Sequence, residues 1–272
     1  MSLKPLVSVI TVCYQAELTL AETLQSVRKQ SYPYLEHIVI DGGSIDRTLD
    51  VLRENHHPRL TWYSGPDHGM YDAMNRGIAR AAGEWIILLN ADDLFSEPNS
   101  LESAMHGIEH LNPSLCIHYF DFCMFEAGHM NPVLVRAYLD LRRGMTLCHQ
   151  AMIYHRSVFA AVGGFLEGYR LAGDLDHTIR CLDAGVAFVH HDQALVHFRI
   201  GGASSKQGKR YLTESAPLIH RRFGWYWALR LRFNYLLGRM RGLFGKLLSR
   251  RLRGRIRYLM IRVAQWSQRS PQ

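Results

Sequence analysis

Asn90-Ala91-Asp92-Asp93 sets two carboxylates side by side at the end of the apolar run 85–89. Adjacent like charges at the end of a buried strand repel, and a bound cation relieves that repulsion. An all-oxygen ligand set suits Mg2+ or Mn2+, which bridge to phosphate oxygens. The same residues would also make a plain turn before Leu94. Asp41-Gly42-Gly43-Ser44-Ile45-Asp46 follows a second apolar run. Its glycines let the backbone approach a ligand, and Asp41 is able to accept hydrogen bonds from a base or ribose. A capped strand-to-helix turn explains it equally. In Ala172-Gly173-Asp174-Leu175-Asp176-His177, two aspartates open a helix, where the dipole favours carboxylates. Capping accounts for one of them; the chemical reading makes one a general base. Cys148-His149-Gln150 does not make a nucleophile–base pair, because neighbours in sequence do not reach that geometry by spacing alone. The fifteen histidines show no HExxH or other metal spacing.

The elements that must position these residues alternate. Apolar, β-branched runs predict strands at 6–13, 35–40, 60–63 and 85–89. Helical spacing predicts helices at 17–30, 45–55 (with Ser44 as N-cap) and 70–82. Strand–helix alternation means an α/β fold with a mostly parallel sheet and right-handed crossovers. The polar clusters 11–17, 41–46 and 90–93 all fall at C-terminal strand ends, the edge where open α/β sheets bind ligands. Further on, helices are expected at 99–111, 157–162 and 174–184, strands at 116–122, 187–189 and 194–198, and a loop at 201–205. From Tyr211 the pattern is helical. One apolar stripe runs through Leu229, Phe233, Leu236, Leu237, Met240, Phe244 and Leu248, and a second through Ile256, Leu259, Met260, Val263 and Trp266. Gly238, Gly242, Gly245 and Gly254 predict breaks in these helices. There is no internal repeat.

Charge divides the chain. Its 272 residues carry a formal net charge of +8, yet no Asp or Glu follows Glu214, and 14 of the 32 basic residues lie from Arg221 onward. That leaves 18 basic against 24 acidic residues in the first 220. An acidic body with a basic, apolar-striped tail suits an anionic surface. The five cysteines are odd in number and lack CxxC spacing, so a disulfide framework and a zinc site are both excluded and a reducing compartment is expected. The run 6–13 is too short for a signal core, and no stretch has the length and purity of a membrane span, so secretion is not expected.

Taken together these segments resemble family 2 glycosyltransferases of the GT-A fold. The likeness rests on VSVITVCYQ at 7–15, HIVIDGGSIDRT at 37–48, and GPDHGMYDAMNRGIARAAGEWIILLNADD at 65–93, which runs into that family's DxD motif. HQAMIYHRSVFAAVGGF at 149–165 and GDLDHTIRCLDAG at 173–185 resemble its acceptor half. The resemblance covers roughly residues 5–205 and is closest in style to bacterial exopolysaccharide, O-antigen and colanic-acid-type enzymes. It implies a Rossmann-like GT-A domain at 1–210, with a nucleotide-binding half at 1–95 and an acceptor half at 96–210, followed by a basic helical extension at 211–272.

By the same resemblance, Asp92 holds a Mg2+ or Mn2+ ion with Asp93 helping, because Asn90 replaces the first Asp of DxD. Asp41 contacts the base, and Thr11 and Tyr14 border the nucleotide. Glu17, Ser44, Asp67, Tyr71, Asn75, Asn90, Ala91, His149 and Gln150 complete the donor-side set. Asp174 is the base, although Gly173 stands where the family's usual Glu precedes it. The implied reaction is an inverting, hexosyltransferase-type transfer from a UDP-, GDP- or dTDP-sugar to a lipid-linked saccharide, at the cytoplasmic face of the inner membrane. The developing charge of the leaving nucleoside diphosphate calls for a cation. Two rivals stand beside this. A nucleotidyltransferase would carry a Gly-rich, Lys- or Arg-bearing loop, and 11–17 has none of the three. A nucleic-acid-binding protein would use the basic tail, but the apolar stripes there do not suit phosphate tracking, and no nucleic-acid partner is expected.

Overall fold

The computed structural model describes residues 4–109, 115–126, 132–202 and 207–246. The first half is a strand–helix alternation: β1 (Val7–Cys13), α1 (Leu20–Arg28), β2 (Leu35–Asp41), α2 (Thr48–Glu54), β3 (Leu60–Ser64), α3 (Met70–Arg80) and β4 (Trp85–Leu88). Then follow β5 (Leu94–Phe95), α4 (Ser100–Glu109), β6 (Cys116–Phe125), β7 (Val133–Val135), β8 (Met152–His155), α5 (Arg156–Val162), α6 (Gly173–Asp183) and β9 (Ala187–Arg199). Two helices close the described chain, α7 (Gly208–Phe223) and α8 (Trp225–Lys246).

The sheet order is β3-β2-β1-β4-β8-β6-β9-β5, with β7 on β6. β1 pairs in parallel with both β2 and β4, and β2 with β3. β8 runs antiparallel between β4 and β6, which makes β6 and its parallel partner β9 point the same way as β1. The mostly parallel α/β sheet expected from the alternation is therefore present. Every residue of β1 and β4 is buried, the property of central strands covered on both faces. The packing of α3 onto β1 is close. A Cβ on Gly77 would stand 2.3 Å from Cγ2 of Ile10, so only glycine lets the helix approach that near.

Several boundaries differ from the sequence reading for local reasons. The strands expected at 187–189 and 194–198 are one strand, because β9 follows β6 through register shifts around Asp121. Helix α1 starts at Leu20 rather than 17, which leaves 14–19 as a loop at the sheet edge. Helix α2 starts at Thr48, and Ser44 is not its cap. The Ser44 hydroxyl donates to Asp41 and accepts from the Gln15 N–H, while Asp46 takes the Thr48 N–H. Helix α8 runs through Gly238, Gly242 and Gly245 without the expected breaks. The stripe positions Met240, Phe244 and Leu248, the second stripe at 256–266, Gly254 and loop residues 203–205 lie outside the residues whose side chains are described.

The division expected at residue 210 falls inside α7. That helix packs on the body through Leu218 and Ile219, in a cluster with Leu141, Ala172, Leu175, Ile179 and Ala228 of α8. The outer side of α8 is different, with Trp225, Tyr226, Leu229, Phe233 and Leu236 all exposed. No helix among the described residues is long and apolar enough to cross a membrane. Cys13, Cys116, Cys148 and Cys181 are buried, and Cys123 is half-buried.

Candidate active site

The carboxyl ends of β1, β2 and β4 open onto a cavity of about 1140 Å3. It exceeds the roughly 300–1,000 Å3 of an ordinary small-molecule pocket, so it has room for two substrates. Its lining includes Tyr14, Gln15, Gly42 and Asp67, then Asn90, Ala91, Asp92 and Gln150, and also Arg143, Met145, Arg170 and Tyr211. Tyr71, His149 and Asp174 also line it. A second cavity of about 350 Å3, between α1 and β5, contains none of the candidate residues.

The middle of the cavity is built by the turn after β4. Asp92 reaches the wall, whereas Asp93 is 1% exposed and does not. Both Asp93 oxygens are engaged, one by the Arg199 N–H at 2.8 Å and one by the Gln150 amide at 2.8 Å. Arg199 also donates to the Asp92 carbonyl at 3.0 Å and pairs with Glu22. Asp93 is thus the internal strut that ties β9 and the 149–151 turn to the motif, and of the two aspartates only Asp92 lines the cavity. Burial pushes both carboxyls above their usual range, and the Asp92 charge adds to the rise at Asp93.

A divalent cation fits this wall. Asp92 offers a partly buried carboxylate, and the buried Asn90 Oδ1 has no hydrogen-bond partner within the described protein. No group of three or more His, Cys, Asp or Glu able to hold a metal occurs among the described residues. That suits an ion that shares its shell with substrate phosphates and water rather than one caged by protein.

The base candidate lines the same cavity. Asp174 is the second residue of α6, so its carboxylate lies at the positive end of the helix. Its Oδ1 accepts from its neighbour's N–H, that of Leu175, at 2.8 Å, and its own N–H donates to the Tyr71 hydroxyl at 3.2 Å. The Tyr71 hydroxyl is 3.5 Å from Oδ1, and His149 Nδ1 is 3.6 Å from Oδ2. Burial, reinforced by the Asp174 charge, pushes the Tyr71 phenol far above its ordinary range, so it stays a neutral donor. Gly173 allows this approach, since a Cβ there would come 2.6 Å from the Tyr71 ring. Asp176 is paired with Arg180 at 2.8 Å. Of the two helix-opening aspartates, only Asp174 faces the cavity.

The other donor-side candidates divide. Asp67 lines the cavity and fixes the Gly69 N–H at 2.8 Å. Asp41 is wholly buried beneath the wall. Its carboxylate accepts from the Gly43 and Ser44 N–H groups and from the hydroxyls of Ser44 and Ser64. It shapes the glycine turn whose Gly42 lines the cavity. Thr11 is buried against His37 at 3.0 Å, Glu17 holds the Arg47 N–H, and Asn75 clasps both backbone groups of Phe165. None of these three lines the cavity. Sequence reading missed Arg143, Arg170, Arg199 and Tyr211. No motif marks them: Arg143 and Arg170 come from connecting segments, Arg199 from the end of β9 and Tyr211 from α7.

Comparison with known proteins agrees with this geometry. Residues 8–163 match the family model for glycosyl transferase family 2. A PGL/p-HBAD biosynthesis glycosyltransferase of Mycobacterium bovis (strain BCG / Pasteur 1173P2) is 34% identical over 229 residues, which are 80% of this chain and 86% of the relative. The O-antigen biosynthesis protein RfbC of Myxococcus xanthus is 29% identical over 213 residues, 75% of this chain but 16% of that larger protein. Among solved structures, S. aureus TarS 1–349 in complex with UDP-GlcNAc superposes with a TM-score of 0.63 at 19% identity, covering 79% of this chain and 65% of its own. The mannosyltransferase PcManGT from Pyrobaculum calidifontis, in complex with GDP-Man and Mn2+, gives 0.62 at 16% identity, covering 97% and 81%. The fold is thus that of GT-A glycosyltransferases.

Proposed function

The chain belongs to glycosyl transferase family 2, and from that premise we propose that it is an inverting enzyme, transferring a hexosyl unit from a nucleotide-diphospho-sugar to a lipid-linked saccharide of a cell-surface glycan. The observation that carries this reading is the convergence of Asp92, Asn90 and Asp174 on one cavity at the carboxyl edge of the sheet. The UDP-GlcNAc and GDP-Man carried by the two structural neighbours support a nucleotide-sugar as donor. The relatives named for phenolic-glycolipid-type and O-antigen synthesis support a surface glycan as product.

Each residue then has a defined task. The 14–16 loop, Gly42 and Asp67 receive the nucleoside, and Asp92 and Asn90 are the residues that would hold a Mg2+ or Mn2+ ion. When bound, that ion offsets the charge gathering on the leaving group. Asp174 takes the proton of the acceptor hydroxyl as the hydroxyl oxygen bonds to the anomeric carbon. The bond from that carbon to the diphosphate oxygen breaks, the nucleoside diphosphate leaves with the electron pair, and the anomeric centre inverts. Tyr71 and His149 hold Asp174 in place from either side.

The membrane side of the reading rests on α8. Its exposed Trp225, Tyr226, Leu229, Phe233 and Leu236 dip into the interface of the cytoplasmic leaflet, and the arginine-rich chain from Arg221 meets anionic headgroups. Such a peripheral seat brings the cavity to a lipid-borne acceptor.

The test is a titration of the protein with UDP-, GDP- and dTDP-sugars, with and without Mn2+, followed by assay of donor hydrolysis. One nucleotide class is expected to bind in a cation-dependent way. Failure of all three to bind would remove the donor assignment.

A further inference from the structure

The last acidic residue of the chain, Glu214, lies on α7, beyond residues 8–163 that match the family model. Its side chain is 14% exposed, and its carboxylate reaches the strand of backbone that leads into α6. Oε2 accepts from the N–H groups of Leu171 at 2.8 Å and of Ala172 and Arg170, both at 3.1 Å, and Oε1 lies 3.2 Å from that same Arg170 N–H. Arg210, one turn earlier, donates to Oε1 at 3.1 Å. Burial alone would push the Glu214 carboxyl up, but these backbone donors and Arg210 outweigh it and hold the group below its ordinary range. Three consecutive N–H groups gathered on one carboxylate is a strong, charge-assisted arrangement.

Those peptides are the ones that decide where α6 begins. The Ala172 carbonyl accepts the first helical bond, from the Asp176 N–H at 3.0 Å, and Asp174 follows two residues later. The same helix face holds a second lining segment. The Tyr211 hydroxyl accepts the Met145 N–H at 2.8 Å, and Tyr211 itself lines the cavity. One turn of α7 therefore grips two backbone segments that line the site.

We propose that Glu214 is a positioning residue for transfer: by clamping the peptides of 170–172 it sets the start of α6 and so the aim of the Asp174 carboxylate at the acceptor hydroxyl. This rests on the reading of Asp174 as base. Glu214 touches neither donor nor acceptor, so its loss displaces the base without emptying the nucleotide end of the cavity.

The experiment compares Glu214→Ala, Glu214→Gln and Asp174→Asn with the native full-length chain. It measures kcat and donor KM with the nucleotide-sugar that binds in the screen above, and the affinity for the matching free nucleoside diphosphate with Mn2+. Circular dichroism and thermal melting establish that each variant is folded at the assay temperature. A displacement of about 1 Å is enough to lower turnover about 100-fold, so Glu214→Ala is expected to lose about 10- to 100-fold in kcat with donor KM and diphosphate affinity within about twofold. Glu214→Gln keeps an acceptor oxygen in place without the charge, and its kcat is expected between the two. If Glu214→Ala does not fold, Glu214→Gln decides: lowered kcat with native diphosphate affinity supports the role, and native kcat overturns it. A folded Glu214→Ala with native kcat, or with diphosphate affinity lost in step with kcat, overturns it while an inactive Asp174→Asn leaves the base reading standing. Native turnover by Asp174→Asn would bring down the base reading and the positioning role together.

Discussion

In the proposed function Asp174 and Asp92 carry separable tasks, and the difference is measurable. Asp174→Asn keeps the size of the side chain and the hydrogen bond from Leu175 but removes the proton acceptor. It is expected to lower kcat by at least about 100-fold, the usual range for general-base loss, with nucleoside diphosphate affinity unchanged by calorimetry. Asp92→Ala is expected to act on the opposite quantity. The Mn2+-dependent part of nucleoside diphosphate binding should disappear while the cation-free affinity stays, and full cation dependence in that variant would remove Asp92 as the metal ligand. Asp93 contrasts with its neighbour. With both oxygens bonded to Arg199 and Gln150, it acts on the site through the backbone it braces.

The secondary-structure elements place these residues by close approach. Gly77 brings α3 down onto β1, and Gly173 lets α6 meet Tyr71 of α3, so α3 is the ruler between the nucleotide end and the base. Adding a methyl at Gly77 drives it into Ile10, and overpacking of this kind costs about 1–3 kcal/mol. Gly77→Ala should therefore lower the unfolding free energy measured by urea titration by that amount without changing cation-dependent nucleotide binding at 25 °C, because neither Gly77 nor Ile10 lines the cavity. The β6–β9 pair contributes differently. Its register shift at Asp121 lets one long strand deliver Arg199 to the motif after β4, a link that two short strands would not have predicted.

At the scale of the whole molecule, buried histidines set an acid limit. Burial holds His37 down to about 3 and both His118 and His177 to about 4. His177 sits among the rings of Tyr154, Phe159 and Phe165. In the unfolded chain these groups take up protons near their ordinary value of about 6.5. Between that value and about 4 the unfolded state thus binds more protons than the folded one, and stability falls as pH falls. The histidines outnumber the raised Asp93 carboxyl, whose contribution has the opposite sign, so the melting temperature is expected to drop from about pH 6.5 toward about 4.5. A flat profile across that window would contradict the neutral burial of these rings. The exposed face of α8 gives a second whole-molecule test. Leu229→Glu with Phe233→Glu should reduce co-sedimentation with phosphatidylserine- or cardiolipin-containing vesicles without lowering the melting temperature. Undiminished binding would place the membrane contact elsewhere.

Periodicity and the strand-end polar clusters were enough to determine the α/β alternation, the sheet edge where the cavity opens, and the turns that carry Asn90, Asp92 and Asp174, because strand ends and helix starts are local features of a chain; the choice of Asp174 over Asp176 came from the family resemblance. The same locality hid the rest. Whether a carboxylate meets substrate or backbone depends on which neighbour reaches it first. Asp41 and Asp93 look like Asp92 in sequence, yet the tertiary fold gives them glycine-turn N–H groups, Arg199 and Gln150 as partners. Glu214 and Tyr211 read as the start of a basic tail, and only the packing of α7 on α6 brings them to the site. Fold class is written in patterns a few residues long, whereas the division of labour among like side chains is decided by contacts between residues far apart in the chain.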